Sequence, residues 1–457
     1  MPALSSLSLA LATSAALQRG RAQRSGRRRQ LPPVSATSLF AASDFELLRE
    51  LGEVRVLTSE SRSRTTLSWT VSDSDSPVPD ALAVSRSLGG EAAAAAGSVV
   101  RLYAARALAP PYARCLLKEH RGDAQRLAQR EVAAYAALAA RLPPELSADA
   151  VSLLPPDTPA SPAAPVAPLA GYFLASTPGT EDADVDDDRP PSLFLVQRWV
   201  PLTTLGDFMR SAAPSASASA AAAAAARAAP PPFDPFSLFP LPFQRVPLPA
   251  PPPRTALQRR RCYVASVAAL SLSALARLHS CRIAHGALDD SCLLLSGGDG
   301  VDVASSPAPL VVRLSNLGCA VVGFGPGGDA GADGLDRAEE LAEAAQADCR
   351  SLASVLASLV FTAMGEGEGE AQRASPAAMR RLFLDIFAGD WAAARAYCEE
   401  EESWAEACDL LSCEQAPGWN GWALLALLLD VETYSADAPQ LTRVAERWLA
   451  AVEEAAA

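Results

Sequence analysis

The chain draws all but one of its basic residues from arginine, and the exception is Lys118. An ammonium is a compact point charge that suits phosphate oxygens and a facing carboxylate, whereas a guanidinium is a wide planar fork. Lys118 therefore reads as a position with a task arginine cannot do. A second stretch with chemistry is Ile283 to Leu295, IAHGALDDSCLLL, followed at Leu314 to Gly318 by LSNLG. It offers an imidazole (His285), two carboxylates (Asp289 and Asp290) and a thiol (Cys292), with an amide at Asn316. Either carboxylate could orient a hydroxyl as a base. The thiol is a soft ligand and suits magnesium poorly, and the amide presents a neutral oxygen where a carboxylate would carry charge.

Elements must be found to hold these groups. Glu53–Ser59 and Thr65–Val71 read as strands, as do Ser98–Arg106 and Ala113–His120, the last carrying Lys118. Gly122–Leu138 reads as a helix with Leu127, Ala134 and Leu138 on one face, and it carries Glu131. Residues 141–170 are rich in Pro and Ala and read as loop, and Leu193–Trp199 as a buried strand. Arg254–Ser280 is a strong helix pattern with Val264, Val267, Ala268, Leu275 and Leu278 on one face. Leu310–Leu314 reads as a strand. Helices are expected from Asp348 onward, at Asp348–Leu356, Leu382–Phe387, Trp391–Glu402, Trp404–Leu411, Trp422–Asp430 and Leu441–Val452.

This order of motifs resembles a degenerate member of the protein kinase-like superfamily, over roughly Ser98 to Val452. IAHGALDDSCLLL is similar to the catalytic loop: His285 keeps the His, Ala287 stands for the catalytic Asp, Asp289 for the Lys and Cys292 for the metal-binding Asn. Asn316, Leu317 and Gly318 stand for Asp-Phe-Gly. The resemblance implies an α+β, bilobal protein kinase-like fold, with a small β-rich lobe carrying one main helix (44–200) and a large helical lobe (201–457). It further implies that Lys118 pairs with Glu131, that Gln197, Arg198 and Trp199 form the hinge that meets adenine, and that Asn316 and Gly318 line the same nucleotide site. Thr204–Met209 resembles the first large-lobe helix, and Cys319–Ala347 would be the activation segment, lacking Ala-Pro-Glu. Asp348, which opens DCRSLASVL, would hydrogen-bond the catalytic-loop backbone. Where a phosphate-covering GxGxxG loop belongs, the chain has LGGEAAAAAG, with Gly89, Gly90 and Gly97 at other spacings.

Composition narrows the function classes. A formal net charge of −13 argues against nucleic acid as a main partner. Nine cysteines without a CxxC, and three histidines, fit a reducing compartment and no zinc site. No unbroken apolar run of membrane-spanning length stands out. Residues 1–43 hold six arginines (Arg19, Arg21, Arg24, Arg27, Arg28, Arg29) and no acid, the pattern of a disordered transit peptide, for the chloroplast or alternatively the mitochondrion. Its removal would take the charge to −13 − 6 = −19. The Ala/Pro-rich insert 211–253 is expected to be disordered.

The expected function is a chloroplast pseudokinase that acts on an unknown protein partner as a binding, scaffold or regulatory module. ATP binding is expected to be weak, with no magnesium site, because Ala287, Cys292 and Asn316 replace all three acidic-chemistry groups. The alternative is an active atypical Ser/Thr protein kinase that transfers phosphate from ATP to a protein, with Asp289 or Asp290 as a displaced base.

Overall fold

The computed structural model describes residues 40–58, 65–70, 98–109, 114–143, 146, 164–175, 191–198, 202–211, 255–296, 310–323, 332–364, 374–414, 420–429 and 438–456. The chain is α+β. Its N-terminal part holds strands β1 (Phe45–Thr58), β2 (Thr65–Thr70), β3 (Ser98–Ala107) and β4 (Arg114–His120), helix α1 (Gln125–Arg141), and strands β5 (Leu169–Ala175) and β6 (Ser192–Arg198). These six strands form one antiparallel sheet in the order β2-β1-β3-β4-β6-β5. The C-terminal part is helical: β7 (Leu202–Thr204), α2 (Leu205–Ser211), α3 (Ala256–Ser280), β8 (Ile283–Ala284), β9 (Leu293–Ser296), β10 (Val312–Leu314), β11 (Val321–Val322), α4 (Ala332–Met364), α5 (Pro376–Arg380), α6 (Trp391–Glu400), α7 (Ala405–Ser412), α8 (Gly421–Leu429) and α9 (Ala438–Ala455). A β-rich lobe with one main helix followed by a helical lobe is the bilobal, kinase-like arrangement.

Strand period two decides what β4 presents. Cys115 and Leu117 point into a small core with Phe173, Phe194 and Val196, while Lys118 and His120 lie on the opposite face, toward α1. Glu119, on the first face, is buried and accepts from the Tyr103 hydroxyl at 2.8 Å and from Arg121 Nε at 2.7 Å. Phe40 and Phe45 complete that small core by stacking toward Phe173 and Phe194. Residues 40–43, read as part of the leader, thus belong to the folded lobe. Residues 1–39 and the insert from 212 to 253 lie outside the described residues, as do Gly89, Gly90 and Gly97.

Three elements differ from the sequence expectation. β5 lies partly within the stretch read as loop, because its LAGYFLA run is short and follows a proline-rich segment. β1 starts at Phe45, eight residues earlier than expected (53 − 45), pairing with β3 across two register shifts. Helix α4 begins at Ala332, so much of the stretch read as activation segment is helix; Leu341 on it packs against Gly323.

Caps set the helix starts in the large lobe. Thr255 accepts from Gln258 N while Gln258 Oε1 accepts from Thr255 N, a reciprocal box that opens α3. Ser375 caps α5 with Pro376 at its first position, and Asp390 caps α6. Helices α3 and α4 are long and apolar enough to cross a membrane by length and composition, yet 56% and 78% of their apolar windows are buried inside the protein. Their apolarity is accounted for by the core, where Val264, Val267 and Leu275 of α3 join Leu352, Leu356 and Phe361 of α4.

The two lobes are tied through α1. Arg141 donates from Nη1 to Cys281 O at 2.6 Å and from Nη2 to Gly323 O at 2.7 Å. The Tyr135 hydroxyl donates to Ala167 O, and residues 165–167 in turn pair with β10 through Ala167 N to Leu314 O and Leu314 N to Pro165 O.

Burial and the neighbouring Lys118 ammonium pull the His120 imidazole down from 6.5 to about 3. Above its ordinary value the ring is neutral in both states and pH has no effect through it. Below that value the unfolded chain binds a proton that the folded chain refuses, so stability falls as pH drops from 6.5 toward 3, by up to about 1.4 kcal/mol per pH unit. Urea denaturation across this range should show a steeper acid loss for the parent than for His120→Gln. Parallel curves would exclude the imidazole as its source.

Candidate functional site

Lys118 sits on β4, opposite Leu102 of β3 and Leu195 of β6. Its Nζ lies 3.0 Å from Glu131 Oε1 on α1 and donates to Asn316 Oδ1 at 2.8 Å. Gln197 Nε2 donates to the same Glu131 oxygen at 3.0 Å. Lys118, Glu131 and Gln197 are 4%, 2% and 3% exposed, which leaves water little access to the pair. An ammonium has three hydrogens to donate, and two of them are committed within the protein.

Asn316 reaches Lys118 because of its backbone. It takes φ 62° and ψ 52°, a left-handed conformation that asparagine tolerates better than most residues, at the turn between β10 and the short 3₁₀ segment Leu317–Cys319. Gly318 then lets this turn approach α1, since a Cβ there would lie 3.1 Å from Leu127 Cβ. Leu127 spends its apolar surface on this contact while Ala128, Glu131, Ala134, Tyr135 and Leu138 form the buried face of α1.

The loop after β8 is held by Asp348 at the middle of α4. Asp348 accepts from His285 N at 2.6 Å and from Gly286 N at 2.8 Å, and its Oδ2 lies 3.0 Å from His279 Nε2. Gly286 has φ 79°, and a Cβ there would sit 2.3 Å from Cys319 O, so only glycine fits. His285 is fully buried, with Nε2 2.7 Å from Ser315 O, which ties the loop to the Asn316 turn. Asp289 Oδ1 accepts from Ser291 N (2.9 Å), Ser291 Oγ (2.6 Å) and Cys292 N (3.0 Å). This carboxylate closes its own turn. Cys292 is fully buried, and desolvation first, then the neighbouring Asp289 charge, hold its thiol well above the usual range. Its Sγ lies 3.5 Å from Ala287 O and 4.0 Å from Asn316 Nδ2.

The structure therefore brings together Lys118, Glu131, Gln197 and Asn316, with Gly318 and Cys292 beside them. It treats the expected hinge differently. Gln197 and Arg198 are still in β6, paired with Leu116 and Cys115 of β4, and Arg198 N donates to Pro168 O at 3.1 Å. The ladder has claimed these backbone groups, so Gln197 contributes its side chain to the ion pair instead, and Trp199 lies outside the described residues. Neither the Gln197 contact nor the Arg141 clamp was foreseen. Period two along LFLVQR, counted from a buried Leu193 and Leu195, would have put Gln197 on the Lys118 face. Nothing in the sequence marks Arg141.

Chemically, the set can hold one anionic oxygen at a buried cation. Among the described residues no group of three or more His, Cys, Asp or Glu side chains is placed to hold a metal ion.

No protein-family model matches this chain, and no curated protein matches it. Among solved structures it is similar to one described as the crystal structure of Rad53 kinase domain and SCD2, at 12% identity over 76% of this chain and 86% of that chain, with a TM-score of 0.36.

Removing one partner of a buried pair leaves the other charge uncompensated. Lys118→Met should destabilise the chain by about 3 kcal/mol in urea denaturation, and adding Glu131→Gln should recover much of that loss. Additive losses in the double variant would mean the two groups are not energetically coupled.

Proposed function

We propose that this chain is a pseudokinase: a kinase-like fold kept as a binding, scaffold or regulatory module. The observation that carries this reading is where the loop spends its polar groups. Ala287 has no side-chain proton acceptor, and Asp289 takes three hydrogen bonds from its own turn at Oδ1. Cys292 is a buried, neutral thiol, and Asn316 already accepts from Lys118. These residues do not fit magnesium, which takes hard and preferably anionic oxygens. A nucleotide's phosphates would meet Lys118, but its ammonium is shared with Glu131 and Asn316, so ATP binding is weak. Phosphoryl transfer rests on positioning and electrostatic stabilisation, and both are missing here. The helical stretch from Ala332, with Leu341 against Gly323, also takes up chain that a peptide-binding segment would need.

The acid-free, arginine-rich start supports a chloroplast leader. Because Phe40 packs on Phe45, cleavage is expected before Phe40. N-terminal sequencing of the protein recovered from plastids should give a start upstream of Phe40. A start beyond Phe45, or protein retaining Met1 in the plastid, would count against this reading.

Thermal shift and autophosphorylation with ATP, each with and without magnesium, test the activity. A small, magnesium-insensitive shift that is lost in Lys118→Met, with no phosphate incorporated, is the expected result. Magnesium-dependent incorporation that disappears in Lys118→Met would establish an atypical kinase instead.

A further inference from the structure

Among the described residues of the helical part, Ile386 (59% exposed) and Tyr397 (49%) are the most exposed large apolar side chains. Ile386 ends a π-helical turn (Arg381–Ile386), and the chain then reverses through Ala388 and Gly389, both at positive φ, into the Asp390 cap of α6. This hairpin brings Phe387 to 5.5 Å from Tyr397, ring centre to ring centre, and Tyr397 lies 6.4 Å from the half-exposed Trp404. Phe387, Tyr397 and Trp404 thus form an aromatic strip whose two ends, Phe387 and Trp404, are partly buried against the core, Trp404 on the Phe361 ring at 4.9 Å, and Ile386 precedes Phe387 in the chain. Apolar patches with polar rims on a protein surface mark interaction sites.

The rim is mostly acidic. From Asp385 to Glu402 there are six carboxylates, all on exposed residues, against Arg395, while the exposed Arg380 and Arg381 stand at the start of the π-helical turn. Arg395 is turned away from the strip: it pairs with Glu399 at 2.6 Å, donates to Ser412 Oγ, and lies 5.9 Å from the Trp422 ring centre. Glu400 follows Tyr397 by three residues on α6, so the two share a helix face.

We propose that this hairpin, Asp385 to Trp404, is a docking surface for an arginine-bearing amphipathic segment of a partner protein. Apolar side chains of the segment would cover Ile386 and Phe387. Its guanidinium groups would stack on Tyr397 and Trp404, since cations are drawn to ring faces, and pair with Glu400 and Glu402. Charge complementarity selects this occupant. A second copy of the chain would set six carboxylates against six, which disfavours a dimer through this face. The site is distant in sequence and in role from the Lys118 cluster, and it stands whether or not the cleft binds nucleotide.

The probe is a fluorescein-labelled synthetic helix with arginine on one face and leucine and tyrosine on the other, added to the full chain and followed by anisotropy. Binding should weaken at least about tenfold for Ile386→Asp with Tyr397→Ala, and again for Glu400→Arg with Glu402→Arg, with melting temperatures unchanged. Leu174→Ser, on the edge strand β5, should bind as the parent does. A control peptide with the same arginines and serine in place of the apolar residues should bind far more weakly. Equal binding of both peptides, or equal binding by the hairpin variants, would reduce the surface to a non-specific acidic field and overturn the proposal. Self-association that is lost in Ile386→Asp would overturn it in favour of a dimer face.

Discussion

Taking an ammonium out of water costs several kcal/mol unless other groups replace its hydration, and a buried carboxylate carries a like penalty. Lys118 and Glu131 are both buried, and each compensates the other. Two amides add to the pair: Asn316 accepts from Lys118, and Gln197 donates to Glu131. These four residues come from β4, α1, β6 and the turn after β10, so satisfying one pair of charges fixes the position of α1 against both lobes. Gly318 under Leu127, Arg141 on Cys281 and Gly323, and Tyr135 on Ala167 then hold α1 where that pairing requires it.

Asp348 shows why some acidic groups persist in such a site while others are absent. Its oxygens accept two backbone N–H groups of a buried loop and face His279, and none of that depends on substrate. Buried donors left without acceptors are costly, so a fold that keeps this loop must keep this acid. Asp289 follows the same logic: its oxygen closes the turn that buries Cys292. Both Asp348 and Asp289 serve the backbone of this loop.

The surface features of the large lobe follow from its helix ends: a π-helical turn, two positive-φ residues and an Asp cap together make the hairpin that exposes Ile386 and Tyr397 among carboxylates.

The sequence by itself determined much of this. A lone lysine among arginines singled out Lys118, and the helix-like run after it indicated Glu131, because residue type carries charge and shape information that needs no coordinates. Strong helical periodicity located α3, since an apolar face of that length is hard to mistake. Short elements were less legible: β5 is seven residues beside a proline-rich run, and local pattern cannot separate such a strand from loop. The N-terminal extent of α4 was hidden because residues 337–340 near its start are exposed and mostly charged, leaving no buried stripe to read there. Only the tertiary structure decided how far the ladder of β6 runs, and with it that Gln197 turns its side chain to Glu131 while its backbone stays in the sheet. It also decided that Asp289 closes its own turn through Oδ1, because which donors reach a carboxylate lies in the path of the backbone around it.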